Sequence, residues 1–126
     1  MRVFMTKSFR RFQRKERIAD AALCEAVRRA ARGLVDADLG GGLIKQRVSR
    51  PGDGRRGGFR TVIAYRVGDR AVFVFGFAKK DQANVSRDDE RYLKDYGALL
   101  LALDAGGIVK MLAGQELTEP DYGDKT

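Results

Sequence analysis

Arg60 and Lys79 are the residues in this chain best placed to do chemistry together. They belong to two glycine-containing motifs, Arg55-Arg56-Gly57-Gly58-Phe59-Arg60 and Phe75-Gly76-Phe77-Ala78-Lys79-Lys80-Asp81. Residues 59–67 and 71–78 are rich in Val, Ile, Phe and Tyr, which predicts two paired strands. Gly68-Asp69 between them predicts a two-residue type II′ turn, because glycine tolerates a positive φ at its first central position. With Val67 paired to Arg70, Val62 faces Phe75, Arg60 faces Phe77 and Gly58 faces Lys79. Arg60 and Lys79 then emerge on one sheet face as diagonal neighbours, roughly 7–8 Å apart at the backbone. Gly58 has no side chain to fill the space above it. Like charges this close repel, so the pair suits an anionic ligand better than an empty surface.

The charge of the whole chain agrees. It has 126 residues, 25 Lys and Arg against 17 Asp and Glu, and a net charge of +8. The excess lies in residues 1–70, with 18 basic and 7 acidic side chains; residues 71–126 carry 7 and 10. A basic portion followed by an acidic end is an electrostatic footprint for nucleic acid. Histidine is absent and Cys24 is the sole cysteine. That excludes Ser-His and Cys-His catalysis, an internal disulfide and a Cys/His zinc site. The length fits one domain. No apolar run is long enough to span a bilayer and the N-terminus lacks a signal-peptide core, which predicts a cytoplasmic protein with no membrane partner.

The flanking elements must position the two motifs. Residues 2–6 predict a first strand. Ser8 is the expected cap of a following helix whose segment 7–17 carries Lys7, Arg10, Arg11, Arg14, Lys15 and Arg17, with Phe9 and Phe12 turned to the core. A second helix is predicted over 20–32, with Leu23, Val27, Ala30 and Leu34 as its apolar stripe, Cys24 as a small core residue and Gly33 at its end. Residues 36–42 read as a glycine-rich loop. It lacks the Gly-Lys-Ser/Thr ending of a nucleotide-binding loop. Residues 43–49 predict a third strand carrying Lys45 and Arg47, with Arg50 just beyond, and 50–58 a basic connection. Ser86 and Asp89 predict the start of a helix. Its apolar face, Tyr92, Leu93, Tyr96, Leu99, Leu100 and Leu103, is expected to cover the sheet. A short helix over 108–113 and a frayed acidic tail over 116–126 close the chain.

The run Gly41-Gly42-Leu43-Ile44-Lys45-Gln46-Arg47-Val48, followed by the two motifs above, resembles the RelE/ParE toxin superfamily, and within it the HigB-like branch of type II toxin–antitoxin systems. The resemblance covers residues 1–104, expected as the toxin domain, with 105–126 as a C-terminal extension. It implies an α+β, RelE-like compact domain, of order β-α-α-β-β-β-α, with an antiparallel sheet packed against helices. It also implies a metal-independent endoribonuclease that cuts translated mRNA on the ribosome, without a cofactor. Its implied partners are the ribosome, mRNA and a cognate antitoxin of the helix-turn-helix DNA-binding type.

For that reaction, the RNA's own 2′-OH attacks the adjacent phosphorus, and the protein aligns the groups and stabilises the added charge. The resemblance makes Arg56, Arg60, Lys79 and Lys80 the expected catalytic residues. Arg60 would grip a phosphoryl oxygen, Lys79 or Lys80 would act as base, and Arg56 would stabilise developing charge. Lys45, Arg47, Arg50 and Arg55 would hold the RNA backbone or ribosomal RNA. Tyr92, Tyr96 and Tyr65 are expected in packing roles. Two other readings stay open: a ParE-like inhibitor of DNA gyrase, and a basic RNA-binding module without catalysis.

Overall fold

The computed structural model describes residues 1–50, 54–78 and 84–121, with the side chains of residues 50 and 54–57 outside that description. Among the described residues the order is β1 (Arg2–Thr6), α1 (Lys7–Glu16), α2 (Asp20–Ala31), β2 (Ala37–Gly40), β3 (Leu43–Arg50), β4 (Gly54–Arg66), β5 (Arg70–Ala78), α3 (Arg87–Ala102), α4 (Ala105–Ala113) and β6 (Leu117–Thr118). The strands form one sheet in the order β2-β3-β4-β5-β1-β6. The expected α+β architecture is therefore present. The stretch from β2 to β5 is antiparallel, but β1 joins β5 in parallel. A parallel pair needs a long crossover, and the helices and strands between β1 and β5 supply it.

The sheet is covered on both faces. On one, Phe9 of α1 and Leu23, Ala26, Val27 and Ala30 of α2 pack with Ile44, Val48, Phe59, Ile63 and Phe73. On the other, Leu93, Leu100 and Leu101 of α3 and Ile108 of α4 pack with Leu43, Val62, Ala64, Val72 and Val74. Double coverage explains why β1, β4 and β5 read as near-continuous apolar runs. Gly97 brings α3 close to the sheet: a Cβ there would stand 3.1 Å from Leu43 Cδ2 and 3.3 Å from Ala64 Cβ.

Several element ends differ from the sequence expectation, each for a local reason. Thr6, not Ser8, caps α1: its Oγ1 accepts from the Phe9 N–H at 3.2 Å from extended backbone, while Ser8 already lies within the helix. Leu34 is 56% exposed, because Gly33 turns the chain at φ +83° before the α2 stripe can include it. Part of the loop expected over 36–42 is the strand β2, which returns into β3 through Gly40, Gly41 and Gly42, all at positive φ. The connection expected over 50–58 is largely strand, since β4 starts at Gly54. The Ser86 cap is as expected, with its Oγ accepting from the Asp89 N–H at 3.1 Å. Tyr92 and Leu99, assigned by spacing to the covered face of α3, are instead 65% and 68% exposed. The helix touches the sheet through a stripe narrower than its apolar sector. Asp104 accepts from the Gly107 N–H and starts α4 at Ala105, three residues before the expected start. In the segment expected to fray, Leu117 is buried and β6 pairs with Met5 and Thr6.

The β4–β5 hairpin has two registers. Near the turn, Arg66 pairs with Arg70, Ala64 with Val72 and Ile63 with Phe73. The turn is thus Val67-Gly68-Asp69, one residue longer than expected, and the pairs predicted beside it are displaced by one. Val74 is then an extra residue on β5, after which Val62 pairs with Phe75, Arg60 with Phe77 and Phe59 with Ala78, the pairing expected from the sequence. The bulge places Gly76 on the α1 side. A Cβ there would meet Phe12 Cε2 at 2.5 Å and Phe9 Cε1 at 3.0 Å. Gly76→Ala is accordingly expected to destabilise the fold by about 1–3 kcal/mol through overpacking, read as a lower denaturation midpoint at unchanged m.

Candidate functional site

The site is built from β3 outward. Leu43 belongs to the core on the α3 side, whereas Ile44 and Val48 belong to the core on the α1/α2 side. Strand alternation therefore puts Lys45 and Arg47 on the α3 side and Gln46 on the other. Gln46 is fully buried. Its Nε2 donates to the carbonyls of Ala26 and Leu34, each at 3.0 Å, and its Oε1 accepts from the Asp36 N–H at 3.0 Å. One amide thus joins α2, the segment leaving it, and the sheet. The Thr61 hydroxyl donates to the Gln46 carbonyl at 2.7 Å, tying β4 to the same point.

This anchorage fixes Arg47. Its N–H donates to Asp36 Oδ2 at 2.6 Å, and the Arg29 guanidinium donates to its carbonyl. Both backbone groups therefore point away from β4, toward the side where β2 has ended. Arg47 nevertheless pairs with Arg60 across the β3–β4 ladder. The two form a non-hydrogen-bonded antiparallel pair, the kind with Cα atoms about 4.5 Å apart and side chains closest. Both residues are half-buried. Among the described residues neither guanidinium has an ion-pair partner, and Arg47 Nε is buried with no hydrogen-bond partner. Two opposed, partly desolvated cations with an unused donor have the charge and the donors that an oxyanion would need.

Further residues flank the pair. Arg60 faces Phe77, whose ring centroid lies 5.9 Å from that of Phe75. Lys45, opposite Val62, donates from Nζ to Asn84 Oδ1 at 2.9 Å. Gly58 does not leave the open space expected above it: a Cβ there would lie 2.7 Å from the Val48 carbonyl oxygen and 3.5 Å from Arg47 Cγ. Glycine is needed because β3 crowds this point and the Arg47 stem occupies it.

Of the expected site residues, Lys45, Arg47 and Arg60 are brought to one sheet face. Arg50 pairs with Gly54 through the β3–β4 ladder, and Arg55 and Arg56 lie on β4; their side chains are outside the described residues. Lys79, Lys80 and Asp81 are outside them as well, and with them the predicted pairing of Gly58 with Lys79. Tyr65 packs in the core on the face opposite Arg60, as expected, and Cys24 is buried, where desolvation pushes its thiol pKa up. Among the described residues, no group of three or more His, Cys, Asp or Glu could hold a metal ion.

Sequence reasoning did not find Asn84, Asp36, Arg29 or Gln46. For Gln46 a signal existed: a polar residue one position out of phase with Lys45 and Arg47 points into the core. Nor did it find an aromatic pocket between α3 and β5. Tyr92 and Tyr96 stack at 6.0 Å between centroids and, with Phe75, Val74, Leu93, Ser8 and Asp89, line a pocket between α3 and β5. Tyr96 is half-buried, and burial raises its phenol pKa.

Among families of known proteins, one described as the RelE toxin of the RelE / RelB toxin-antitoxin system matches residues 1–119. No curated protein matches the chain significantly.

Replacing Gln46 by the similarly sized Leu would leave the buried Ala26 carbonyl without its side-chain donor and the part-buried Asp36 N–H without its acceptor. The variant should lose about 1–3 kcal/mol of stability, the cost of an unsatisfied buried group, measured by urea denaturation. Stability equal to the parent would show that the amide does not anchor β3.

Proposed function

The chain belongs to the RelE toxin family of toxin–antitoxin systems, and from that membership and the Arg47–Arg60 pair we propose that it is an endoribonuclease that cuts mRNA on the ribosome. The observation carrying this reading is the opposed pair of half-buried arginines that, among the described residues, have no carboxylate partner. A phosphodiester supplies the missing anion. As the ribose 2′-OH attacks phosphorus, negative charge builds on the non-bridging oxygens. Donors fixed before the reaction stabilise that charge without reorganising. Arg60 grips the phosphoryl group, Arg47 and Lys45 hold the backbone beside it, and Phe77 borders the pair as an apolar wall.

In this proposal Lys79 or Lys80 takes the 2′-OH proton, Arg56 meets charge on the leaving oxygen, and Arg50 and Arg55 extend the RNA track. The mechanism needs neither metal nor cofactor. The protein acts in the cytoplasm and is silenced by a cognate antitoxin, proposed to be of the helix-turn-helix type found with HigB-like toxins. Acidic antitoxin side chains reaching the site would neutralise the guanidinium pair. No helix among the described residues is by itself long and apolar enough to cross a membrane.

Arg60→Ala should abolish growth arrest on expression and slow mRNA cleavage on programmed ribosomes. Loss of one charge-assisted phosphate contact, about 1.5–3 kcal/mol, corresponds to roughly 10- to 150-fold in rate. Circular dichroism should be unchanged, and a folded variant with full toxicity would remove Arg60 from the mechanism. Cleavage should also survive chelation under conditions that keep ribosomes assembled. Loss of cleavage with intact ribosomes, restored only by a divalent ion, would overturn the metal-free route.

A further inference from the structure

Four cations of α1 stand apart from the site described above. Lys7, Arg10, Arg11 and Arg14 follow helical spacing and, with Gln115 and Thr118, line a groove between α1 and the C-terminal segment. α1 packs through Phe9 and Phe12 on the sheet face opposite Arg60, so one phosphate group cannot engage both places. We propose that this groove is a second RNA-binding site, taking the phosphate backbone of structured RNA.

The crowding of these cations supports this. Carboxylates accompany some cations elsewhere: Arg2 with Glu119, Arg29 with Glu25, Arg66 and Arg70 with Asp69, and Lys94 with Glu90. Among the described residues Lys7, Arg10, Arg11 and Arg14 have no such partner, although like charges three and four apart on a helix repel. The first turn of α1 contains no acidic residue and starts with Lys7, a cation where the helix dipole favours an anion. A polyanion reverses both penalties.

The opposite wall is tied to the rest of the fold. Leu117–Thr118 pairs with β1, Glu119 binds Arg2 at 3.0 Å, and the Asp121 N–H donates to Asp20 Oδ2 at 2.7 Å. Thr118 Oγ1 is buried there without a hydrogen-bond partner. A rigid wall means that little ordering accompanies binding. Among the described residues no apolar or aromatic side chain lines the groove, whereas a protein partner would be expected to find an apolar or aromatic anchor. That favours a phosphodiester chain over an acidic protein. In purpose this second site rests on the ribosome-directed reading above, but its test does not, since cleavage is never scored.

The test uses the intact chain and a short fluorescent RNA duplex titrated at several salt concentrations. Arg10→Gln/Arg11→Gln/Arg14→Gln should bind at least about tenfold more weakly, with a salt slope shallower by roughly 0.9 for each phosphate contact removed. The corresponding triple Lys variant should keep most of the slope. If the triple Gln variant fails to fold, Arg11→Gln/Arg14→Gln, at exposed positions, carries the same measurement. Duplex affinity and slope unchanged in the Gln variants would overturn the proposal. So would a loss of antitoxin affinity with RNA affinity intact, which would make the groove a protein-docking surface.

Discussion

The extra residue at Val74 sets which side chains accompany Arg60. Without it, the register beside the turn would continue and Arg60 would face Gly76. Phe75 and Phe77 would then be aimed at the side where Phe9 and Phe12 already fill the space. The bulge resolves this conflict by reversing the faces of β5 halfway along its length. Gly76 goes under α1, where only glycine fits, and Phe77 goes beside Arg60. One irregular position therefore serves both the packing of the first helix and the surroundings of Arg60.

A second constraint acts from the other neighbour of β4. β2 stops at Ala37, opposite Lys45, leaving the backbone of Arg47 without a strand partner on that side. Side chains of Asp36 and Arg29 replace the missing strand, and the buried Gln46 amide holds Asp36 in place. The guanidinium of Arg47 is thus directed by interactions on the opposite face of the sheet from the one it serves. This gives the cation pair a rigid base.

The two basic regions differ in kind. Arg47 and Arg60 are half-buried and opposed, suited to gripping one phosphate. The α1 cations are mostly exposed and spread along helical turns, suited to following a backbone. Among the described residues neither place has a carboxylate partner for its cations.

The sequence by itself determined what local chemistry controls. Strand runs, the Ser86 cap, the α2 stripe up to Ala30 and the outer Val62–Phe75 and Arg60–Phe77 pairs could all be read from period and residue type. The motifs also carried the family resemblance, and Arg60 with them. Tertiary structure decided what depends on several elements at once. The added residue in the turn and the bulge that offsets it follow from competition between α1 and α3 for the two faces of β5. The exposure of Tyr92 follows from how α3 lies on the sheet, and the filling of the space over Gly58 from Arg47 on another strand. The orientation of Arg47 itself depends on Gln46, Asp36 and Arg29, residues up to 18 positions away, whose roles exist only once α2 has packed against β3.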